Sequence, residues 1–208
     1  MGEDLAEHHL KNVGERETHR VDPGHVQRFR DPDRLDRLRP PELVKNLNIL
    51  EGDYVLEIGC GDGVFLEVLA EEVGQQGRVI GVDIEPEMVE LARQNIENQS
   101  LSNVEVKQSE NDSIPLKDGT VDKTLLVNTL HEMAYPSRTL TELYRVLRPG
   151  GEVLLFDRHK EETGDEGPPK HHLVSEQEAI DLFKEAGFER KREFEWDPDM
   201  YSIILGKL

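Results

Sequence analysis

The segment Glu57-Ile58-Gly59-Cys60-Gly61-Asp62-Gly63 places three glycines at alternate positions among acidic residues. Glycine lets a chain turn tightly and lets its backbone approach a ligand. A helix starting behind such a turn offers free N–H groups and partial positive charge. A dinucleotide loop would read G-x-G-x-x-G. Counted from Gly59 the last position is Val64, and counted from Gly61 it is Leu66, so that fingerprint fails in both registers. Glu57 and Asp62 would also repel a pyrophosphate. They suit a ligand with an ammonium group and no phosphate, whose carboxylate meets the backbone N–H groups.

Further along, Asp83 closes the run Gly81-Val82-Asp83-Ile84. An ionised carboxylate only accepts hydrogen bonds, so Asp83 can take both hydroxyls of a ribose. An acid here is shared by nucleotide-binding folds in general, and its rival role is a helix N-cap for the segment at Pro86. Ile84 is then placed to pack beside a base. His131, in Asn128-Thr129-Leu130-His131-Glu132, can serve as a general base because an imidazole titrates near neutrality. It can equally cap or pack the following helix, or touch a cofactor without chemistry. Arg158, in Asp157-Arg158-His159, can bind an acidic substrate group or sit in a surface ion pair. His171 and His172 end a polar loop and either line a lid or stay exposed; His172 is the substrate candidate of the two. The spacing of His131, His159, His171 and His172 matches no ligand motif, so no metal is expected.

Alternating strands and helices must position these residues. Tyr54 to Ile58, Arg78 to Val82, Val104 to Lys107, Asp122 to Asn128 and Glu152 to Phe156 read as buried strands. Val64 to Glu72, Pro86 to Asn98 and Ser137 to Leu147 read as helices between them, and Pro149-Gly150-Gly151 as a break before the fifth strand. Ser175 and Glu178 form a capping box for a helix ending at Ala186. Lys191 to Trp196 and Met200 to Leu205 are expected to pair antiparallel. Residues 163–170 read as a loop rich in glycine, proline and charge. The pattern predicts an α/β fold, with a doubly wound, mainly parallel seven-stranded sheet and an antiparallel C-terminal strand. Residues 1–50 form an expected helical arm, with turns at Asp22-Pro23-Gly24 and Asp31-Pro32 and helices from Asp33 and Pro41; residues 51–208 form the ligand-binding domain. Ligands in such sheets bind beyond the carboxyl ends of strands, where the strand order reverses.

Val55-Leu56-Glu57-Ile58-Gly59-Cys60-Gly61-Asp62-Gly63 resembles the first motif of class I S-adenosylmethionine-dependent methyltransferases, an acidic residue followed by G-x-G-x-G. Many members carry threonine or serine where this chain has Asp62. Asp118-Gly119-Thr120-Val121-Asp122-Lys123, followed by Leu125-Leu126-Val127-Asn128, resembles a later motif, with Val121 where phenylalanine is frequent. Leu143 to Gly151 resembles the helix and turn before the fifth strand. The likeness runs from about Glu51 to Phe156. It implies a Rossmann-like sheet, S-adenosyl-L-methionine as cofactor, and methyl transfer to a small-molecule substrate by in-line displacement. It also implies Glu57, Gly59, Cys60 and Gly61 at the aminoacyl end, Asp83 and Ile84 at the ribose and adenine, and Asn128 bordering the reaction crevice. In Ser109-Glu110-Asn111-Asp112, Glu110 falls in the slot that accepts from the adenine amino group, with Asn111 beside it; Asp112 is the rival.

Direct displacement at a methyl group requires alignment and exclusion of water, and a base only if the nucleophile loses a proton. Arsenite methyltransferases hold arsenic with several cysteines, whereas this chain has one, Cys60. The N/D-P-P-Y/F motif of DNA and RNA amino-methylating enzymes is replaced by Asn128-Thr129-Leu130-His131. The alternatives are a protein methyltransferase and a non-catalytic nucleotide-binding protein of the same fold. A nucleotide-dependent oxidoreductase is disfavoured by the failed dinucleotide fingerprint.

The 208 residues suit one domain with an appended arm. A lone thiol builds neither an internal disulfide nor a multi-cysteine metal site. Forty-four acidic residues against 25 basic ones give a net charge of −19, which repels phosphate backbones and makes nucleic acid a poor partner. No apolar run approaches the ~20 residues of a membrane span. Residues 1–20 lack the apolar centre of a secretory signal, so a cytoplasmic protein is expected.

Overall fold

The runs Tyr-Val-Leu-Glu-Ile, Arg-Val-Ile-Gly-Val-Asp and Thr-Leu-Leu-Val leave almost no polar side chain to face water, so each needs cover on both faces. A computed structural model describes residues 29–160 and 170–208. His8, His9, His19, His25, the turn at Asp22-Pro23-Gly24 and all but the last residue of the 163–170 loop lie outside the described residues.

Two short helices, α1 (Pro32–Leu38) and α2 (Pro40–Lys45), come first. Asp31 caps α1 by accepting from the N–H groups of Asp33 and Arg34, with Pro32 preset for the first turn. Then follow β1 (Tyr54–Ile58), α3 (Val64–Val73), β2 (Arg78–Asp83), α4 (Pro86–Asn98), β3 (Val104–Gln108) and β4 (Val121–Val127). A 3-10 turn, Leu130–Glu132, leads to α5 (Pro136–Val146), β5 (Leu147–Arg158), α6 (Glu176–Glu185), β6 (Phe188–Glu193) and β7 (Met200–Lys207).

The strands form one seven-stranded sheet in the order β3-β2-β1-β4-β5-β7-β6. β1 to β5 pair in parallel, and β7 runs antiparallel to both β5 and β6. Alternate residues of a strand face opposite sides. Leu56, Ile80, Leu126, Leu155 and Ile203 accordingly pack in one core cluster with α5 and α6. Val55, Val79, Leu125, Leu154 and Ile204 pack in the other with α3 and α4. Leu43 and Leu47, at and just beyond α2, are fully buried in that second cluster, so this part of the chain is packed into the core.

Two elements differ from the sequence expectation. Pro149-Gly150-Gly151 does not break the chain: β5 runs from Leu147 through it, because Leu147 pairs with Val121 and the register shift before Lys123 absorbs the irregular step. β6 starts three residues early, at Phe188, which is buried with its ring 5.3 Å from Phe183 and 5.2 Å from Tyr144. Phe194 and Trp196 lie past the end of that strand, and Trp196 meets the Phe156 ring edge-on. The capping box at α6 is complete in both directions.

The strand order reverses between β1 and β4, leaving a crevice above their carboxyl ends. No helix among the described residues is long and apolar enough to cross a membrane.

Candidate active site

The turn after β1 is held by its neighbours. Gly59 has φ +71°, and a Cβ there would lie 2.5 Å from the Thr129 side chain that follows β4. Only glycine fits so close an approach at that backbone angle. Asp83 braces the turn from the next strand: one oxygen accepts the Gly61 N–H at 2.9 Å and the other the Glu85 N–H at 3.0 Å. The acid is therefore fixed by a backbone donor on each oxygen, and each oxygen keeps acceptor capacity for a further donor. Cys60 is buried, and burial followed by the charges of Glu57 and Asp83 pushes its thiol pKa well up.

Glu57 is 3% exposed, yet its Oε2 has no hydrogen-bond partner. Burial raises its pKa well above the carboxylate range, and the charges of Asp62 and Asp83 add to the rise. Across the strand reversal, Asn128 adopts φ +52° and its Oδ1 is also buried without a donor. Asp62 gives one oxygen to Arg30 at 2.6 Å; the other is a third orphan. Buried acceptors without donors are costly, and most proteins avoid them. Three such acceptors at the carboxyl ends of β1 and β4, beside a turn shaped for close approach, match a ligand that brings N–H donors and positive charge. That is the aminoacyl end of S-adenosylmethionine, so the residues present fit it.

A cleft continues from this turn past β2 and β3. Ile84 is 36% exposed there, facing an opening also lined by Gln108, Glu110, Asn111 and Tyr135. The Asn111 carbonyl is taken by the Thr139 hydroxyl at 2.5 Å, and Asp112 pairs with Arg138 at 3.5 Å. Glu110 is exposed and its side chain makes no ion pair among the described residues, which leaves it the more available acid.

The strand ends on the other side carry different chemistry. His131, in the 3-10 turn after β4, is 8% exposed; Asp157, the penultimate residue of β5, is fully buried. Their side chains meet at 2.5 Å from Nδ1 to Oδ1, and the His131 backbone N–H points at the second oxygen at 3.3 Å. Burial alone would lower the imidazole pKa, but the Asp157 charge and hydrogen bond, with help from Glu132, outweigh it and the net shift is upward. Glu132, 3.8 Å from Nε2, is itself raised by burial to about 7, although 40% of its side chain still meets solvent. Arg158 lines a pocket with Arg34, Arg37 and Asn128. His172 does not line that pocket; it sits half-buried with its ring 4.3 Å from His171.

The structure thus brings Glu57, Gly59, Cys60, Gly61, Asp83 and Asn128 together around the reversal, sets Ile84, Glu110 and Asn111 on one flank and His131 and Arg158 on the other, and leaves His172 apart. Sequence reasoning passed over Asp157, Arg34 and Thr129. Only Asp157 had a readable signal: a lone acid ending an otherwise apolar strand. No group of three or more His, Cys, Asp or Glu side chains among the described residues is arranged to hold a metal ion.

Comparisons with known proteins agree with this geometry. The model of a family described as a methyltransferase domain matches residues 49–197. A solved S-adenosylmethionine-dependent methyltransferase from Aquifex aeolicus superposes with a TM-score of 0.85 at 34% identity, covering 91% of this chain and all of that one. An arsenite methyltransferase of Halobacterium salinarum is 38% identical over 106 residues, 51% of this chain and 27% of its own length. A demethylmenaquinone methyltransferase of Listeria welshimeri is 30% identical over 116 residues, 56% of this chain and 49% of its own. The chain thus spans half or less of the length of these curated relatives. The match over residues 49–197 and the full-length likeness to the Aquifex protein show that the chain belongs to the methyltransferase-domain family.

Proposed function

We propose that the protein transfers a methyl group from S-adenosylmethionine to a small-molecule acceptor. The observation that carries this is the set of orphaned buried acceptors, Glu57 Oε2 and Asn128 Oδ1, on either side of the strand reversal. When bound, S-adenosylmethionine supplies an electrophilic methyl group on a sulfonium that leaves as a neutral thioether.

The chain's residues bind, orient and take up a proton. Glu57 and Asn128 accept from the amino group, and backbone N–H groups of the Gly59–Gly63 turn meet the carboxylate. Asp83, already held by Gly61 and Glu85, is fixed for the ribose hydroxyls. Ile84 covers one face of the adenine, with Glu110 near its edge. His131 donates Nδ1–H to Asp157, which leaves Nε2 as the proton acceptor for the nucleophile. A small acceptor is favoured by the names of the curated relatives and by the acidity of the chain, which disfavours nucleic acid. Cys60 is buried with its pKa raised, so it offers no thiolate to arsenic, which argues against arsenite.

Calorimetric titration with S-adenosylmethionine and with NAD tests the reading. Micromolar binding of the first and none of the second is expected. Asp83→Ala should weaken that binding about 100-fold or more, the loss of two hydrogen bonds to a charged group, with the circular-dichroism spectrum unchanged. Binding of NAD alone would overturn the proposal.

A further inference from the structure

The pocket lined by Asn128 and Phe156 holds three arginines: Arg34 and Arg37 from α1 and Arg158 from the end of β5. In a chain of net charge −19, cations normally find carboxylates. These do not. Among the described residues, the guanidiniums of Arg37 and Arg158 make no hydrogen bond or ion pair, and Arg34 donates only to the Phe29 carbonyl while lying over the Phe29 ring. Asp197 and Asp199 line the same opening, but Asp197 accepts the backbone N–H of Asp199 and neither pairs with an arginine. Burial lowers the Arg34 pKa, and the charges of Arg158 and Arg37 lower it further against the opposing pull of Asp62 and Glu57, neither of which bonds to its guanidinium. Like charges held this close repel, and an anion between them would relieve the repulsion.

The pocket is also in the right place. Asn128 lines it, directly after β4 and three residues before His131, and the charge of Arg158 is felt at the His131 imidazole. We propose that it is the anion subsite for the methyl acceptor: the substrate is a small molecule bearing a carboxylate or phosphate group, gripped by Arg34, Arg37 and Arg158 while its nucleophile faces His131. This rests on the methyl-transfer reading above. Guanidinium forks match both anions in bidentate geometry. The anionic group takes no part in the bond changes. The nucleophile's proton passes to His131 Nε2, its lone pair forms the bond to the methyl carbon, and the carbon–sulfur pair leaves with sulfur. An acidic surface repels anions elsewhere, so the arginines select this group locally rather than by long-range attraction.

The test loads the full chain with S-adenosylhomocysteine and then titrates malonate, inorganic phosphate and neutral malonamide by calorimetry at low ionic strength. One or both anions should bind, and which of them binds tells carboxylate from phosphate; malonamide should not bind. Arg158→Gln and Arg37→Gln should each weaken the anion about tenfold or more and leave S-adenosylhomocysteine affinity within twofold, which also shows that the variants fold. Arg78→Gln, at the opposite end of β2, makes the same charge change and should leave anion affinity unaltered. If S-adenosylhomocysteine binds and neither anion does, or if Arg78→Gln weakens the anion as much as Arg158→Gln, the subsite is overturned while the methyl-transfer reading stands. If S-adenosylhomocysteine itself fails to bind, the methyl-transfer reading falls and takes this inference with it.

Discussion

The two halves of the crevice are built by different means. Above β1, β2 and β3 the groups are mostly backbone and short side chains placed by consecutive turns: the glycine turn, Asp83 bound to it through the Gly61 N–H, and Ile84 next in sequence. Above β4 and β5 the groups are long side chains brought from separate elements. His131 and Asp157 are 26 positions apart, and Arg34 and Arg37 arrive from α1. A backbone cradle suits a ligand common to a whole family. Side chains on separate elements vary without disturbing that cradle, which is how one sheet serves many acceptors.

The comparison breaks most sharply at His131. His131→Ala should lower turnover about 10²- to 10⁴-fold, the usual worth of a general base, with S-adenosylhomocysteine affinity within twofold. A comparable loss of cofactor affinity would place His131 in the cradle and erase the division. The pH profile sharpens the point. A base must be neutral to accept a proton, and His131 has its pKa raised, so kcat/KM should climb with pH through a limb above 6.5. Asp157→Asn removes the charge that raises it most, so the limb should move to lower pH and the plateau rate should fall. A limb that stays put would mean another group titrates.

The next effect belongs to the cradle. Glu57 is protonated well above the ordinary carboxylate pH because it is buried beside Asp62 and Asp83. An ammonium group arriving next to it favours the ionised form, so binding releases a proton. Affinity for S-adenosylmethionine should therefore rise with pH from about 4.5 upward, until Glu57 is ionised without ligand. The unliganded fold has the opposite slope: ionising a buried carboxylate costs stability, so melting temperature should fall over the same window. Glu57→Gln should flatten both slopes and weaken binding about tenfold, the value of one charge-assisted hydrogen bond. A slope in affinity that survives the substitution would assign the proton to Asp83 instead.

The same division explains what the sequence disclosed. Strand–turn–helix order, the glycine turn and the acids at Glu57 and Asp83 are local patterns, so the sheet and the grouping of these residues at its reversal were legible in the sequence, and the cradle they are proposed to form rests on them. The capping box at Ser175 was legible for the same reason. β6 starts earlier than the sequence suggests because only Glu193 to Trp196 alternates between polar and apolar residues, whereas its true start depends on Phe188 meeting Phe183 and Tyr144, a tertiary fact. The arginine pocket had no local trace: Arg34 and Arg37 look like any charged residues on a short polar helix until α1 is seen against β5. Arg158 could be singled out only because it ends a strand.

The smallest effect is the most selective test of the division. Ile84 is partly exposed at the mouth of the cleft, and an adenine laid on it would cover most of what remains open. Covering that remainder is worth about 0.5–1 kcal/mol at ~25 cal/mol per Å². Ile84→Ala should then weaken S-adenosylmethionine roughly two- to fivefold, since 1.4 kcal/mol is tenfold. The side chain supports no other part of the core, so the melting temperature without ligand should hardly move. The substitution lies on the opposite flank from His131 and Arg158, so malonate or phosphate affinity of the loaded protein and the saturated turnover rate should both stay unchanged. A fall in saturated turnover would mean that the adenine contact also positions the methyl group, and the two halves would then be one machine rather than a shared cradle with a separate acceptor wall.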